Sequence, residues 1–484
     1  MNQPPSSLEP RQTPRSRACQ SLSIVHQHGV LHRLVLALCL WASPLLAEDW
    51  PRLLGPRLNA TSSESGLLPR IPSNGPPVRW DKAIGAGYAA PSIAQGRLFL
   101  FHRQGNQELT EAWDAQTGTP IWKHTQPSAY RDPYGYNNGP RCTPLLHDNR
   151  VYTFGAEGLL SCLEAETGKQ LWQRNTAAEL EIPGAFFGVG STPLMEGGKL
   201  LVMVGGQPNA TVIAVDPKTG KTLWESVGEK NWTGQPMLGW PGERTVQWRR
   251  WEKTASYASL IASEIHGRRV VHALTRQGLT VLDPNDGQVL FSRWFRARAD
   301  DSVNAMTPLV IGNDVLISSA YYRSGSVLLR GSPGATNFTE IWSGLGLEMH
   351  WSQPIRVGAH LYGFSGRNEP DAILRCVEYE TGKMAWERSE RWSPHSAEQP
   401  PVFGRGSFIL ADGRLLALGE GGLLGLFQPN PVRCEELGRW QVPSLHYPCW
   451  AGTVLSGGLL YLRSEDRLVC LDLRATAKPG ALKP

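Results

Sequence analysis

From about residue 77 to residue 474 the chain is built of short apolar runs, each entered through a turn. Gly96-Arg97-Leu98-Phe99, Asn149-Arg150-Val151-Tyr152, Gly198-Lys199-Leu200-Leu201 and Gly267-Arg268-Arg269-Val270 set the pattern. It returns at Asn313-Asp314-Val315-Leu316, His360-Leu361-Tyr362, Gly413-Arg414-Leu415-Leu416 and Gly458-Leu459-Leu460-Tyr461. Runs this short, rich in β-branched and aromatic residues and bounded by turn formers, predict strands joined by hairpins. A second signal lies downstream: an acid, a glycine four residues later and an aromatic four after that. Asp114/Gly118/Trp122, Glu164/Gly168/Trp172, Asp216/Gly220/Trp224, Asp283/Gly287/Phe291 and Glu378/Gly382/Trp386 all keep these offsets. In such a turn the acid accepts backbone N–H groups and the glycine supplies a positive φ. The aromatic is then carried onto the next strand, where a wide ring fills the gap between two sheets.

Two hairpins per unit give four strands, the content of one propeller blade. The docking aromatics Trp80, Trp122, Trp172, Trp224, Phe291, Trp342, Trp386 and Trp440 recur at intervals of 42 to 67 residues, one for each of the eight hairpin pairs. The last unit, Gly458 to Arg474, ends before a docking strand of its own, whereas Pro77-Val78-Arg79-Trp80 has no strands before it. The predicted fold is therefore all-β, an eight-bladed β-propeller of four-stranded antiparallel blades, closed by an N-terminal strand that completes the C-terminal blade and removes a free sheet edge.

The repeats Trp113-Asp114-Ala115-Gln116-Thr117-Gly118, Leu163-Glu164-Ala165-Glu166-Thr167-Gly168 and Val215-Asp216-Pro217-Lys218-Thr219-Gly220, each with its Trp, resemble the tryptophan-docking repeats of PQQ-binding-like propellers. Those repeats are shared by quinoprotein alcohol dehydrogenases and by the outer-membrane assembly lipoprotein BamB. Asp49-Trp50-Pro51 with Gly55-Pro56 resembles the N-terminal arm of exported propellers of this type in planctomycetes and their relatives. The docking aromatics are structural, so the resemblance speaks for fold and hardly for function.

The N-terminus adds a compartment. Arg11, Arg15, Arg17 and Arg33 precede an apolar run of 14 residues, Leu34 to Ala47, that is too short to span a bilayer and contains Pro44. It reads as a secretory signal cleaved near Ala47, giving a periplasmic or extracellular protein with no transmembrane segment in the mature chain. The resulting division is 1–47 signal, 48–76 arm, 77–474 propeller and 475–484 tail. Removing residues 1–47 takes away four Arg and one Glu and lowers the net charge from +5 to about +2, which speaks against nucleic acid as a partner. A composition of 41% hydrophobic and 19% charged residues excludes a disordered chain. Cys162, Cys376 and Cys470 hold the same place in three repeats, which favours small buried hydrophobes over a disulfide framework.

The chemistry is sparse. For a quinoprotein the resemblance implies PQQ gripped between a Trp and a disulfide of adjacent cysteines, with Ca²⁺ and an Asp base; no two cysteines are adjacent in this chain. Asp283-Pro284-Asn285-Asp286-Gly287 looks like a calcium loop but coincides with the repeat's own turn. Residues leading into the innermost strand of each blade ring one mouth of the channel. These are Tyr88, Asn138, Arg141, Ser191, Tyr257, Asn304, His350, Trp351 and Trp450, with Asp300 and Asp301 as the nearest candidate acids. Such aromatic, amide and cationic groups suit a flat or polyhydroxylated ligand, and equally suit a water-filled channel. The long interval between Trp224 and Phe291 holds a loop with Trp232, Trp240, Trp248, Arg249, Arg250 and Trp251, a candidate surface for capping, stacking or docking. Three functions stay open: a BamB-like monomeric scaffold for a ligand or an envelope protein, a PQQ-dependent oxidoreductase acting on an alcohol or sugar, and a carbohydrate-binding propeller.

Overall fold

In the computed structural model the short apolar runs are strands, and they assemble into eight separate four-stranded antiparallel sheets. The model describes residues 48–184, 187–232, 254–297, 299, 302–367, 373–388 and 401–475. Each blade begins with an innermost strand: Ser92–Ala94, Leu145–His147, Leu194–Glu196, Ile261–Ile265, Leu309–Ile311, Ile355–Val357, Gly406–Ala411 and Val454–Ser456, blades one to eight in turn. The middle strands are buried over most of their length, Ala210–Val215 over all of it, because both sheet faces pack against neighbouring blades. This is why the sequence shows continuous apolar runs there rather than alternation.

The ring closes as expected. Val78–Ala83 pairs with Arg467–Asp472, with Trp80 opposite Cys470, and so forms the outer strand of the eighth blade. Arg463, fully buried, joins the last blade to the first by donating from Nη1 to the Ala89 carbonyl at 2.6 Å and from Nη2 to that of Gly85 at 3.2 Å.

The turn chemistry is uniform in backbone and divided in side chain. In all five copies of the motif the glycine N–H donates to the acid's carbonyl at 2.8–2.9 Å. Asp114 and Asp216 also accept two backbone N–H groups through Oδ1, whereas the longer Glu164 and Glu378 accept the hydroxyls of Thr167 and Thr381 instead. Six tryptophans, Trp80, Trp122, Trp172, Trp224, Trp342 and Trp386, donate their indole N–H to a turn carbonyl of the next blade at 2.8–3.3 Å. The turn glycine leaves the room: a Cβ on Gly220 would stand 2.8 Å from the Trp172 ring. Phe291 has no N–H to give and packs on Phe338 at 4.9 Å.

Trp440 departs from the set. Beside the other seven docking aromatics the strand register shifts by a bulge, but in blade seven the bulge falls at Leu426, opposite Gly438. The docking position there is a glycine, crowded by Ile71 of the N-terminal segment, and Trp440 lies two residues further on against Gly75.

Cys162, Cys376 and Cys470 sit between a tyrosine and a docking tryptophan on adjacent strands: Tyr152/Cys162/Trp172, Tyr362/Cys376/Trp386 and Tyr461/Cys470/Trp80. A side chain this small lets the two rings approach to 5.8–6.1 Å across it. The six cysteines among the described residues are free thiols.

Residues 48–63 cross the end of the channel where the inner strands finish. Trp50 pairs with Ile93 of blade one, the Pro51 carbonyl accepts from Leu146 of blade two, and Thr61 pairs with Leu410 of blade seven. To make this traverse Leu54, Gly55, Leu58 and Ala60 all take positive φ. Glycine is needed at position 55, where a Cβ would lie 2.9 Å from the Trp50 indole.

Candidate functional site

The channel holds a cup of about 450 Å³, within the range of small-molecule sites. The arm contributes Trp50, Leu53, Leu54 and Ala60 to its lining; Ser407 and Phe408 come from an inner strand, and loop residues, most of them just ahead of the inner strands, supply the remainder.

At mid-depth lies a belt of polar side chains set two residues ahead of the inner strands: Thr143, Thr192, Ser259, Thr307 and Gln353. Neighbouring blades are linked through it. Thr143 N–H donates to Thr192 Oγ1 at 3.1 Å, Thr192 N–H to Ser259 Oγ at 2.9 Å, and Ser259 N–H to Thr307 Oγ1 at 3.0 Å. Gln353 continues the series by donating from Nε2 to the Thr307 and Pro308 carbonyls at 3.0 and 2.8 Å. Those two acceptors orient the amide, so the buried atom left without a partner is the oxygen, Oε1.

Above the belt the rim is aromatic. Rings run in contact from Tyr257 to Phe187, Tyr136, Trp450, Trp351, His350 and Tyr321, with centroid separations of 5.2–6.2 Å. Tyr88 and Tyr447 flank Trp450 at 5.1 and 5.6 Å. Three guanidinium groups lie over these faces: Arg141 on Tyr88, Arg367 on Tyr321 at 4.2 Å, and Arg405 on Trp450 at 4.8 Å. Arg141 pairs with Asp132 and Arg405 with the buried Glu420, both at 2.7 Å, and Glu420 also accepts the Trp450 indole N–H. Glu465 is engaged as well, accepting from Tyr88 Oη and Asn137 Nδ2. Burial, reinforced by the positive charges of Arg405 and Arg367, pushes the His350 pKa down to about 3, so its ring is neutral, and its Nδ1 has no partner. Burial also raises the Tyr88 and Tyr257 phenols above their ordinary range.

Six of the nine residues expected at the mouth meet in this cup: Tyr88, Arg141, Tyr257, His350, Trp351 and Trp450. Asn138, Ser191 and Asn304 do not line it. Asn138 accepts from the Asp132 N–H, and Asn304 is buried, clamping the Thr275 and Phe295 carbonyls through Nδ2. Ser191 is buried, its carbonyl accepting from the Cys142 thiol. Asp283 bonds the Asn285 N–H and Arg268, as a turn acid does. Trp232 is buried against Trp294 at 5.2 Å; Trp240, Trp248, Arg249, Arg250, Trp251, Asp300 and Asp301 lie outside the described residues. The sequence reading missed Tyr136, Phe187, Tyr321, Arg367, Arg405 and the belt. The belt had a signal, the recurring polar-proline pairs Thr143-Pro144, Thr192-Pro193, Thr307-Pro308 and Gln353-Pro354.

The sequence profile of the family described as outer membrane protein assembly factor BamB matches residues 60–236 and 105–388, which together exceed half the chain. The chain belongs to the BamB family. The family's fold is visible in solved structures. BamB from Moraxella catarrhalis shares 13% identity at a TM-score of 0.53, covering 83% of this chain and 98% of that one. The quinohemoprotein alcohol dehydrogenase from Comamonas testosteroni shares 13% at 0.57, covering 90% and 82%. At these identities the likeness is one of fold. Among curated proteins, the 1-butanol dehydrogenase (quinone) of Thauera butanivorans is 27% identical over 103 residues, 21% of this BamB-family chain. The match spans only 16% of that dehydrogenase's length.

Proposed function

We propose that this BamB-family propeller is an exported binding protein whose axial cup receives a ring-bearing ligand, free or displayed on an envelope partner. The observation that carries the reading is the rim, a contiguous wall of rings faced by three arginines, over a cavity that the arm helps to line. Tyr, Trp and Arg are the residues that concentrate binding energy, the two aromatics because they bury much area for few rotatable bonds. The signal-like N-terminus supports export, and no helix among the described residues is long and apolar enough to cross a membrane. The test is a thermal-shift and tryptophan-fluorescence titration of the protein beginning at Glu48 against saccharides, aryl carboxylates and PQQ with and without Ca²⁺. A saturable response that Trp351→Ala abolishes supports the cup as the binding site. A response unchanged by Trp351→Ala, or none to any class, refutes it.

A quinone-dependent oxidoreductase is the second reading, favoured by the stretch similar to a quinone dehydrogenase. The residues described do not fit a calcium-bound quinone. Glu420, Glu465 and Asp132 at the cup are each engaged by Arg, Trp, Tyr or Asn donors, and no group of three acids, histidines or cysteines meets among the described residues.

A further inference from the structure

Exposure decides what an occupant can touch, and the deduction drawn from it rests on the cup being a binding site. The belt is almost covered: Thr143, Thr192, Ser259, Thr307 and Gln353 are 2–6% exposed and serve to tie one blade to the next. The rim is open to contact, with Trp351, Trp450 and Arg405 half-buried on the cup. At the other end lies the arm, and every side chain it adds to the lining is apolar. Two of these, Leu53 and Leu54, are half-buried rather than covered. Leu54 packs against the cluster that holds Ala60 and Phe408, but Leu53 belongs to none of the apolar clusters among the described residues. Its hydrocarbon surface faces the cup, where any apolar group that displaces water from it gains.

The two ends are a short distance apart. On blades one, two and seven the rim residues Tyr88, Arg141 and Arg405 stand five residues ahead of Ile93, Leu146 and Leu410, which bond the arm, so at most about 18 Å of chain separates rim from arm. The wall between them is not polar all round. On blades one and eight the residues two ahead of the inner strand are Ala90 and Gly452. Gly452 is half-buried, and a Cβ placed on it would meet only the Ala90 Cβ, at 3.9 Å. Below Trp450 the wall is therefore apolar and has room. We infer that the cup takes an amphiphile, a polar ring carrying a saturated chain, with the ring on the Trp351/Trp450 wall and the chain running past Gly452 onto Leu53 and Leu54.

The test uses the protein from Glu48 and two probe series at monomeric concentrations, alkyl β-D-glucosides and 4-alkylbenzoates, each with methyl, butyl, hexyl and octyl chains. The chain is the chemistry they share, and the two heads distinguish a glycoside source from an aryl-acid one. Binding is read by titration calorimetry and saturation-transfer NMR. The expected result, in at least one series, is saturable binding that tightens roughly fourfold for each added methylene until the chain reaches the arm. Leu53→Asn, which puts a polar group on the surface the chain would cover, should cut that increment to less than twofold while the methyl member binds as before. Gly452→Leu, which fills the passage, should do the same, and if it does not fold, Leu53→Asn decides alone. An affinity that does not rise with chain length overturns the assignment and leaves the cup standing as a binding site. A rise that Leu53→Asn leaves unchanged also overturns it, as adsorption elsewhere. Silence from every member of both series overturns the cup as well.

Discussion

Replacing Trp80 with alanine tests how the ring is held shut. Trp80 is 7% exposed, lies 5.8 Å from Tyr461 and 6.1 Å from Trp113, and donates its indole N–H to the Ala115 carbonyl at 3.1 Å. It is therefore gripped by the last blade and the first together, on the one strand that closes the circle. Truncating a buried Trp to Ala costs about 3–5 kcal/mol, and the lost hydrogen bond adds about 0.5–1.5 kcal/mol. The expected loss is about 4–6 kcal/mol. Trp80→Phe keeps most of the ring area and forfeits the bond, for an expected loss of about 1–2 kcal/mol. Trp172→Ala is the comparison, a half-buried docking residue whose strand is not the closure. The assay is guanidinium unfolding followed by far-UV circular dichroism, with midpoint and slope fitted for each variant. Trp80→Ala is expected to lose more than Trp172→Ala and to aggregate on storage, because a loosened closing strand frees the edge of Arg467–Asp472. A loss below about 1 kcal/mol, or one smaller than that of Trp172→Ala, would refute the closure argument.

Three further outcomes follow from the same geometry. His272 is fully buried with its pKa pushed down to about 3 by desolvation, so between pH 6.5 and about 3 the unfolded chain binds a proton that the native one does not. Stability should fall as the pH is lowered through that window by up to about 1.4 kcal/mol per unit from this residue alone, and urea midpoints of His272→Leu should show a shallower decline; parallel curves would sink the assignment. Arg405→Met leaves Glu420, 2% exposed, without its 2.7 Å partner and should cost about 3–5 kcal/mol in chemical denaturation. Trp50→Ala removes a 2% exposed anchor of the arm and should make residues 48–61 the first site of limited proteolysis, whereas a digestion pattern like that of the parent protein would show the floor to be held by other contacts.

Blade number, the acid-to-glycine turns, the docking aromatics and the closing strand were all legible in the sequence, because each is a local arrangement repeated at nearly fixed spacing. A turn that needs an acid, a positive-φ glycine and a ring writes the same three letters wherever it occurs. The exception shows the rule: Trp440 looks like the other docking residues along the chain, yet the docking position of blade seven is Gly438, because Ile71 from a distant segment already fills the space. The cup belongs to tertiary structure for the same reason. Arg405, Glu420 and Trp450 come from separate turns, with no spacing that announces their meeting, whereas Thr192, Ser259, Thr307 and Gln353 come from four successive blades at one shared offset, two residues ahead of each inner strand. Asn304 and His350 both stand five residues ahead of an inner strand, yet Asn304 is buried as a backbone clamp and His350 lines the cup. Local bonding chose the fold, and only closure of the ring, with the arm laid across one end, decided which side chains share a cavity and which polar atoms were left there without partners.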